Sequence, residues 1–247
     1  MFNPKDEIKN NRKAIKPDWV KLREVETDRM LKLERPLPFK QAKEDAIILE
    51  LPFEFTALKQ KTLSECIKNR RSLRKYSETP LSFLEATYLI WETCRINKSK
   101  GNVVFRTIPT GGATNAMETY VYLNNVVGIK KGLYLYVQDK HVLALVDDND
   151  DITSRVNEGM MHQLRGASMV FFITAVPYRS EYKYSYTAHK MIAIEAGHAG
   201  QTLSLAAEVV DSGCVCIAAY NQALTDQLLQ VDGIEEFATY IIAVGKK

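Results

Sequence analysis

The chain has 247 residues, 46% apolar and 26% charged, with few glycines and prolines, which suits one large domain, or a domain with an arm, that folds without disulfide or metal staples. Thirty-three basic residues against thirty acidic ones leave a net charge of +3, which argues against nucleic acid as a partner and leaves room for one local anion pocket. No apolar run approaches the roughly 18 residues a membrane helix needs. The cysteines Cys66, Cys94, Cys214 and Cys216 lack zinc-ligand spacing, and Met1 to Lys16 is polar. A reduced, cytoplasmic protein is therefore expected.

Residues 1–54 read as an arm, charge-dense and closed by Pro36, Pro38 and Pro52. Leu22, Val25, Arg29 and Leu33 predict a helix over about 18–35, packing on the partner subunit if the protein is a dimer; disorder is the alternative. Residues 55–247 read as the globular domain. Thr62 and Glu65 have capping-box spacing and open a helix ending near Arg70. Ser82 and Glu85 repeat it before Leu84, Leu89, Ile90 and Trp91. Strands are expected at 120–126, 132–137 and 141–146, the last two as a hairpin across Gln138-Asp139-Lys140. The apolar run 169–176 reads as a buried central strand. A helix over about 186–210 is apolar nearly all round and expected to be buried on most sides. A strand at 214–220, a short helix at 222–229 and a strand at 239–244 complete the chain. Cys214 and Cys216 share one strand face and read as small buried hydrophobes rather than a redox pair. Asp147 to Asp151 lack the glycine and ligand spacing of a calcium loop and read as a solvated turn.

Common catalytic motifs are absent. There is no G-x-x-x-x-G-K-[ST], no strand-linked G-x-G-x-x-G, no H-E-x-x-H and no G-x-S-x-G. Three segments carry chemistry instead. Arg70, Arg71, Ser72 and Arg74 offer guanidinium forks and a hydroxyl suited to a phosphate, although such cations can equally complement a helix C-terminus. Pro109-Thr110-Gly111-Gly112-Ala113 can bring backbone close to a ligand, or be a plain turn. Lys183-Tyr184 precede the apolar helix, in which Glu195, His198 and Gln201 recur every three residues and must meet polar partners, in the chain or across a subunit contact.

Taken in order, these segments resemble the FMN-dependent nitroreductase superfamily over about residues 60–245. The resemblance starts at R-R-S-x-R-x-[FY] and continues through Pro80-Leu81-Ser82 and Trp91. It is closest to the SagB or ThcOx-like azoline dehydrogenases. Their P-S-G-G-A, Y-V, G-L-Y-x-Y and H-x-L segments match 109–113, 120–121, 132–136 and 141–143. Their K-Y, E-A-G-H and Q match 183–184, 195–198 and Gln201. The resemblance implies an α+β fold, a mixed but mainly antiparallel sheet flanked by helices, in an intertwined homodimer with FMN at the subunit interface. It implies that Arg70, Arg71, Ser72 and Arg74 hold the cofactor's phosphate and pyrimidine edge. It assigns Pro109, Thr110, Gly111 and Gly112 to the loop a second subunit lays on the ring, Gln201 to the cofactor as well, and Ala218 and Ala219 to the backbone near flavin N5. Lys183 and Tyr184 match the pair that takes a proton as a hydride leaves for N5; a lysine of lowered pKa or a tyrosine can accept it.

The chain departs from the subfamily in three places. Its R-G-Y-R reads Thr187-Ala188-His189-Lys190, its L-Y-P reads Thr114-Asn115-Ala116, and a glycine before an aromatic reads Ala218-Ala219. These changes bear on the substrate, a small organic molecule or a peptide, more than on the cofactor. Three functions are therefore compared: an FMN oxidoreductase, of nitro- or quinone-reducing or azoline-oxidising type and with NAD(P)H as a possible donor; a flavin-binding protein without turnover; and a basic binding module.

Overall fold

A computed structural model describes residues 4–247; Met1–Asn3 lie outside the described residues. The strands are β1 (Ile48–Glu50), β2 (Ile96–Lys100), β3 (Val103–Arg106), β4 (Met117–Leu123), β5 (Gly132–Val137), β6 (Val142–Asp147), β7 (Met169–Ala175), β8 (Ser212–Ile217) and β9 (Phe237–Lys246). The α-helices are α1 (Pro4–Ile15), α2 (Leu63–Asn69), α3 (Phe83–Cys94), α4 (Ile152–Gly159), α5 (Tyr178–Tyr184), α6 (Ala188–Val209) and α7 (Gln222–Leu229). Seven strands form one sheet in the order β1-β6-β5-β4-β7-β9-β8, and β2 pairs with β3 as a separate hairpin. Strand neighbours run antiparallel; parallel pairing occurs in isolated bridges such as Ser72 with Cys214.

Both faces of the sheet are buried, which explains the unbroken apolar run of β7. Met169, Phe171 and Ile173 face one core with Leu89, Ile192, Ala199 and Leu203. Val170 and Phe172 face the other with Val156, Leu228 and Ile241. Alternate side chains of a strand point to opposite faces, so a strand covered on both sides has no polar position to spare. The result is a three-layer α+β domain with α3 and α6 on one face, α4 and α7 on the other.

The expected capping boxes are present. The Thr62 and Ser82 hydroxyls accept from Glu65 and Glu85 N–H, and those carboxylates accept from the cap N–H in return. The short helix at 222–229 also forms as expected. The hairpin β2–β3 and helices α4 and α5 add elements that hydrophobic periodicity did not signal. Asp147 corrects the solvated-turn reading. It is buried at the end of β6, pairs with Arg155 Nη2 at 2.5 Å and accepts from Asn149 N–H.

The arm differs most. No α-helix covers 18–35; a single 3₁₀ turn stands at Lys21–Glu24, and the α-helix lies earlier, at Pro4–Ile15. The cause is competition for backbone partners. Arg29 N–H donates to Tyr182 O (3.0 Å), Tyr182 Oη donates to Leu33 O (2.9 Å) and Tyr186 Oη donates to Asp18 O (3.0 Å). Helix α1 has no buried residue, and its Asp6, Glu7, Arg12 and Lys13 complement the helix dipole. Beyond Pro38 the arm joins the sheet edge through β1, which pairs with β6. From Asp18 onward the arm therefore makes these contacts with its own chain.

Phe172 tests the packing of the sheet face covered by α4 and α7. It is fully buried, and Phe172→Ala is expected to cost about 3–5 kcal/mol through lost contacts and a cavity. The urea midpoint should fall with little change in slope. An unchanged midpoint would contradict the packing described.

Candidate active site

The arginine segment is pinned flat on the sheet edge. Leu73 N–H donates to Cys214 O (2.9 Å), and Tyr76 Oη donates to Ala243 O (3.0 Å). Arg70 is the C-cap of α2. The Arg71 guanidinium turns back to that helix end, donating to Lys68 O (3.0 Å) and Arg70 O (2.8 Å); it is the residue for which helix-end complementation holds. Ser72 and Arg74 are exposed. Among the described residues, neither Arg70 nor Arg74 has a carboxylate partner.

Between α6 and the start of β9 an apolar cleft of about 500 Å³ opens, lined by His189, Ile192, Ala193, Ala196 and Gly197, by Ala218, and by Phe237 to Tyr240 of β9. Behind Tyr240, which lines the cleft, Gly200 of α6 meets the Cys216 sulfur. Cys214 Sγ lies 3.1 Å from Ser204 Oγ, and Cys216 Sγ 3.9 Å from Gly200 O. The hydrogen bond between the two thiols holds Cys216 below the usual thiol range, while the same bond and burial push Cys214 up. The Arg70 charge also lowers both thiols. Gly200 is required here: a side chain would place its first carbon 2.7 Å from the Tyr240 ring. Cys214 is buried as expected, and Cys216 is only half-buried.

The glycine loop lies on a different face of α6. Thr110 Oγ1 and Gly111 N–H both donate to Glu195 Oε1, at 2.7 and 3.0 Å. Burial raises the Glu195 pKa, and the Thr110 and Gly111 hydrogen bonds oppose that rise. Thr114 Oγ1 packs on Ser180 Oγ (2.7 Å), and Arg35 Nη2 donates to Ala113 O (2.7 Å). With Thr110 Oγ1 and Gly111 N–H turned inward, the exposed loop surface is Pro109 and Gly112.

Lys183 and Tyr184 come to this loop. Lys183 Nζ donates to Gly112 O (3.4 Å) and sits 5.2 Å from the centre of the Tyr184 ring, which meets Trp19 edge-to-face at 6.0 Å. Below them, Arg179 of α5 pairs with the fully buried Glu118 (2.6 Å) and donates to Asn115 O (3.2 Å). Arg106 donates to Met117 O and Pro38 O; burial lowers its pKa to about 10.

The structure thus gathers the proposed residues into two groups. Ala218 and the cleft flank the α6 face carrying Ile192, Ala196 and Gly200, and the arginine segment joins that side through Leu73 N–H on Cys214 O. Pro109–Gly112, Lys183 and Tyr184 flank the face carrying Met191 and Glu195. Positions four apart share a face of a helix, so the groups look outward in different directions. Ala219 is exposed and its carbonyl accepts from Gln163 Nε2 (2.7 Å). The expected polar stripe divides: Glu195 is buried against the loop, while His198 and Gln201 are exposed. Arg106, Glu118 and Arg179 were not singled out from sequence, because isolated charged residues in apolar stretches carry no motif.

Gly112 is in the left-handed region (φ +60°), and an added first side-chain carbon would lie 2.2 Å from Tyr184 Oη and 2.4 Å from Lys183 Nζ. Gly112→Ala should therefore displace the flexible ends of that pair and cost on the order of 1–2 kcal/mol in backbone strain. Faster labelling of Lys183 by an amine reagent, read by peptide mass spectrometry, is the expected result, with a lowered melting temperature. Unchanged labelling would refute the contact.

Known proteins bear on this arrangement. The model of the Nitroreductase family matches residues 67–246. A provisionally named nitroreductase from Methanocaldococcus jannaschii is 24% identical over 204 residues, 82% of this chain and 98% of that protein. A provisionally named nitroreductase structure from Anabaena variabilis superposes with a TM-score of 0.65 at 21% identity, over 82% of this chain but only 42% of that longer one. The E. coli microcin synthetase McbBCD complex with truncated pro-MccB17 contains a chain with the same fold (TM-score 0.61, 17% identity, 83% of this chain and 79% of that one). A provisionally named nitroreductase from Desulfovibrio desulfuricans, solved in complex with FMN, matches at a TM-score of 0.50 and 16% identity, over 75% of this chain and 86% of that one. Among the described residues no helix is long and apolar enough to cross a membrane. With its family pattern running through both residue groups and the sheet between them, the chain belongs to the Nitroreductase family.

Proposed function

We propose that this chain is an FMN-dependent oxidoreductase working as a homodimer, with each site assembled from two copies. The observation that carries this reading is the division of the site residues between two faces of α6. An apolar cleft, with unpaired arginines on the segment that pairs with the neighbouring strand β8, would be half of a site for a planar ring bearing a phosphate. A rigid glycine loop beside Lys183 and Tyr184 is the other half. A second copy laid across α6 would bring one half over the other. Helix α6 leaves Ile194, Gly197, His198 and Gln201 exposed, and α2 leaves Leu63 and Ile67 exposed. Exposed Ile194, Leu63 and Ile67, rimmed by His198 and Gln201, form the kind of apolar patch with a polar border that marks an interaction surface.

The chain's residues fit FMN. Arg70 and Arg74 would hold the phosphate, with Ser72 adding a neutral donor, because guanidinium forks match phosphate oxygens. The cleft walls, Ala196, Ala218 and Tyr240 among them, would hold the ring. The partner's loop, its Thr110 and Gly111 donors satisfied internally, would offer a flat surface to stack. Bound FMN supplies hydride exchange at N5. Lys183 and Tyr184 would hold or accept the proton that accompanies it, with Lys183 steadied on Gly112 O and Tyr184 on Trp19.

The substrate follows two readings within this class. A nitro- or quinone-type acceptor, with NAD(P)H as donor, fits the family. An azoline-type peptide substrate is favoured by the intact Lys183–Tyr184 pair and by the likeness to a chain of the microcin synthetase. Binding of FMN without turnover is the outcome that would sink both.

The purified protein should be yellow, release FMN on denaturation, and scatter light as a particle of twice the chain mass. Bleaching of its colour by NADH or NADPH would support the reductase reading. A colourless monomer that ignores added FMN would overturn the proposal. Arg70→Ala should weaken FMN binding about tenfold to a hundredfold, since a hydrogen bond to a charged group contributes about 1.5–3 kcal/mol. Arg71→Ala, whose guanidinium already serves the α2 end, should weaken it far less. Equal losses would mean the segment acts only as diffuse charge.

A further inference from the structure

We propose that Glu195 is a positioning residue, clasping the 109–113 loop at the height that seats Lys183 for proton transfer. The inference rests on the reading of Lys183 and Tyr184 as the proton-handling pair.

Glu195 lies on α6, 85 residues from Thr110 in sequence, and one oxygen of its carboxylate receives both Thr110 Oγ1–H and Gly111 N–H. A carboxylate is the side chain best suited to two donors at once, because an ionised oxygen offers several lone pairs and no proton. Thr110 has a single hydroxyl proton and gives it to Glu195, while its oxygen accepts Asn115 N–H at 3.1 Å. A relay therefore runs from Asn115 through Thr110 to Glu195 and crosses the whole loop.

The loop needs such a clasp. Gly112, Ala113 and Asn115 all have positive φ, at +60°, +56° and +56°. Two of these are not glycine, and left-handed backbone at such residues persists only where the surroundings hold it. Glu195 holds the loop's first half, and Asn115 Nδ2, donating to Val104 O (2.9 Å), holds its second. The Gly112 carbonyl that receives Lys183 Nζ lies between these two anchors. Releasing the first anchor moves that carbonyl, and Lys183 moves with it. A shift of about 1 Å in a reacting group can cost on the order of a hundredfold in rate.

The test uses the FMN-loaded dimer and three variants, Glu195→Gln, Glu195→Ala and Lys183→Ala, with the Glu195→Ala/Lys183→Ala double variant. Turnover is measured with a nicotinamide donor and a quinone acceptor, and hydrogen exchange is followed on the peptide spanning 107–117. Glu195→Ala should speed exchange at Gly111 and lower kcat about tenfold to a hundredfold with little change in KM or bound FMN. Glu195→Gln, whose carbonyl oxygen still accepts, should restore most of both. In the Lys183→Ala background, Glu195→Ala should lower kcat no further. Equal loss in both backgrounds would overturn the proposal, as would full kcat in Glu195→Ala or a glutamine variant as impaired as alanine. If Lys183→Ala alone keeps full kcat, the reading of the proton-handling pair fails, and with it this use of the clasp. Unchanged exchange in Glu195→Ala would overturn the clasp itself, whatever Lys183 does. Should Glu195→Ala not fold, Thr110→Val removes one of the two donors to Glu195 and the acceptor of Asn115 N–H while leaving the Gly111 bond in place; it should speed exchange at Asn115 and lower kcat in the same direction, and unchanged exchange and full kcat would overturn the proposal.

Discussion

Close packing of α6 against the sheet is the constraint on which the other features rest. The helix presents Ala196, Ala199, Gly200, Leu203, Ala206 and Ala207 inward, mostly small side chains that let its backbone approach the strands. At Gly200 the approach is so near that the Tyr240 ring and Cys216 sulfur occupy the space any larger residue would need. Because the helix is held this close, the apolar cleft has a wall, the thiols of β8 reach its Gly200 carbonyl and Ser204 hydroxyl, and Glu195 can extend to a loop on its other side. A helix standing off by one methyl group would loosen all three, since packed interiors transmit small displacements rather than absorb them.

A second layer of order comes from buried charge. Glu118 and Arg179 form an ion pair with both side chains almost wholly removed from water, and Arg106 lies buried beside them. Such pairs add little net stability because desolvation offsets attraction, but removing one partner is costly. Their value here is geometric. Arg179 stands on the helix that carries Lys183 and Tyr184 and also binds the Asn115 carbonyl, so α5 and the loop are referred to one fixed point. Immediately after Tyr184 the chain turns through Ser185 with φ +45° and ψ −139°, a conformation that demands such support.

The arm belongs to the same system. It supplies Trp19 to Tyr184, Arg35 to the Ala113 carbonyl, and a carbonyl at Pro38 to Arg106. Farther along, Lys40 pairs with Glu236 at 2.5 Å and donates to Tyr120 Oη at 2.8 Å. A segment whose own composition suggested a separate appendage thus closes over the site from outside, held by side chains of the domain rather than by a core of its own.

Local rules were legible without the fold. Thr62 with Glu65 and Ser82 with Glu85 mark helix starts because a cap needs only residues three apart. The strand run at 169–176 and the helix at 222–229 declare themselves by apolar pattern, and the ordered family segments pointed to the fold before any contact was known. What the tertiary structure decided are contacts between residues far apart in sequence. Lys183 reaches Gly112 across 71 positions and Glu195 reaches Thr110 across 85. Glu195, His198 and Gln201 have the same spacing in the chain, yet one is buried and two are exposed. A step of three residues falls 60° short of a full turn of the helix, so the stripe drifts out of the contact. The helix expected at 18–35 gave way for a related reason. Its backbone found partners on Tyr182 and Tyr186, and no periodicity within the segment could report them.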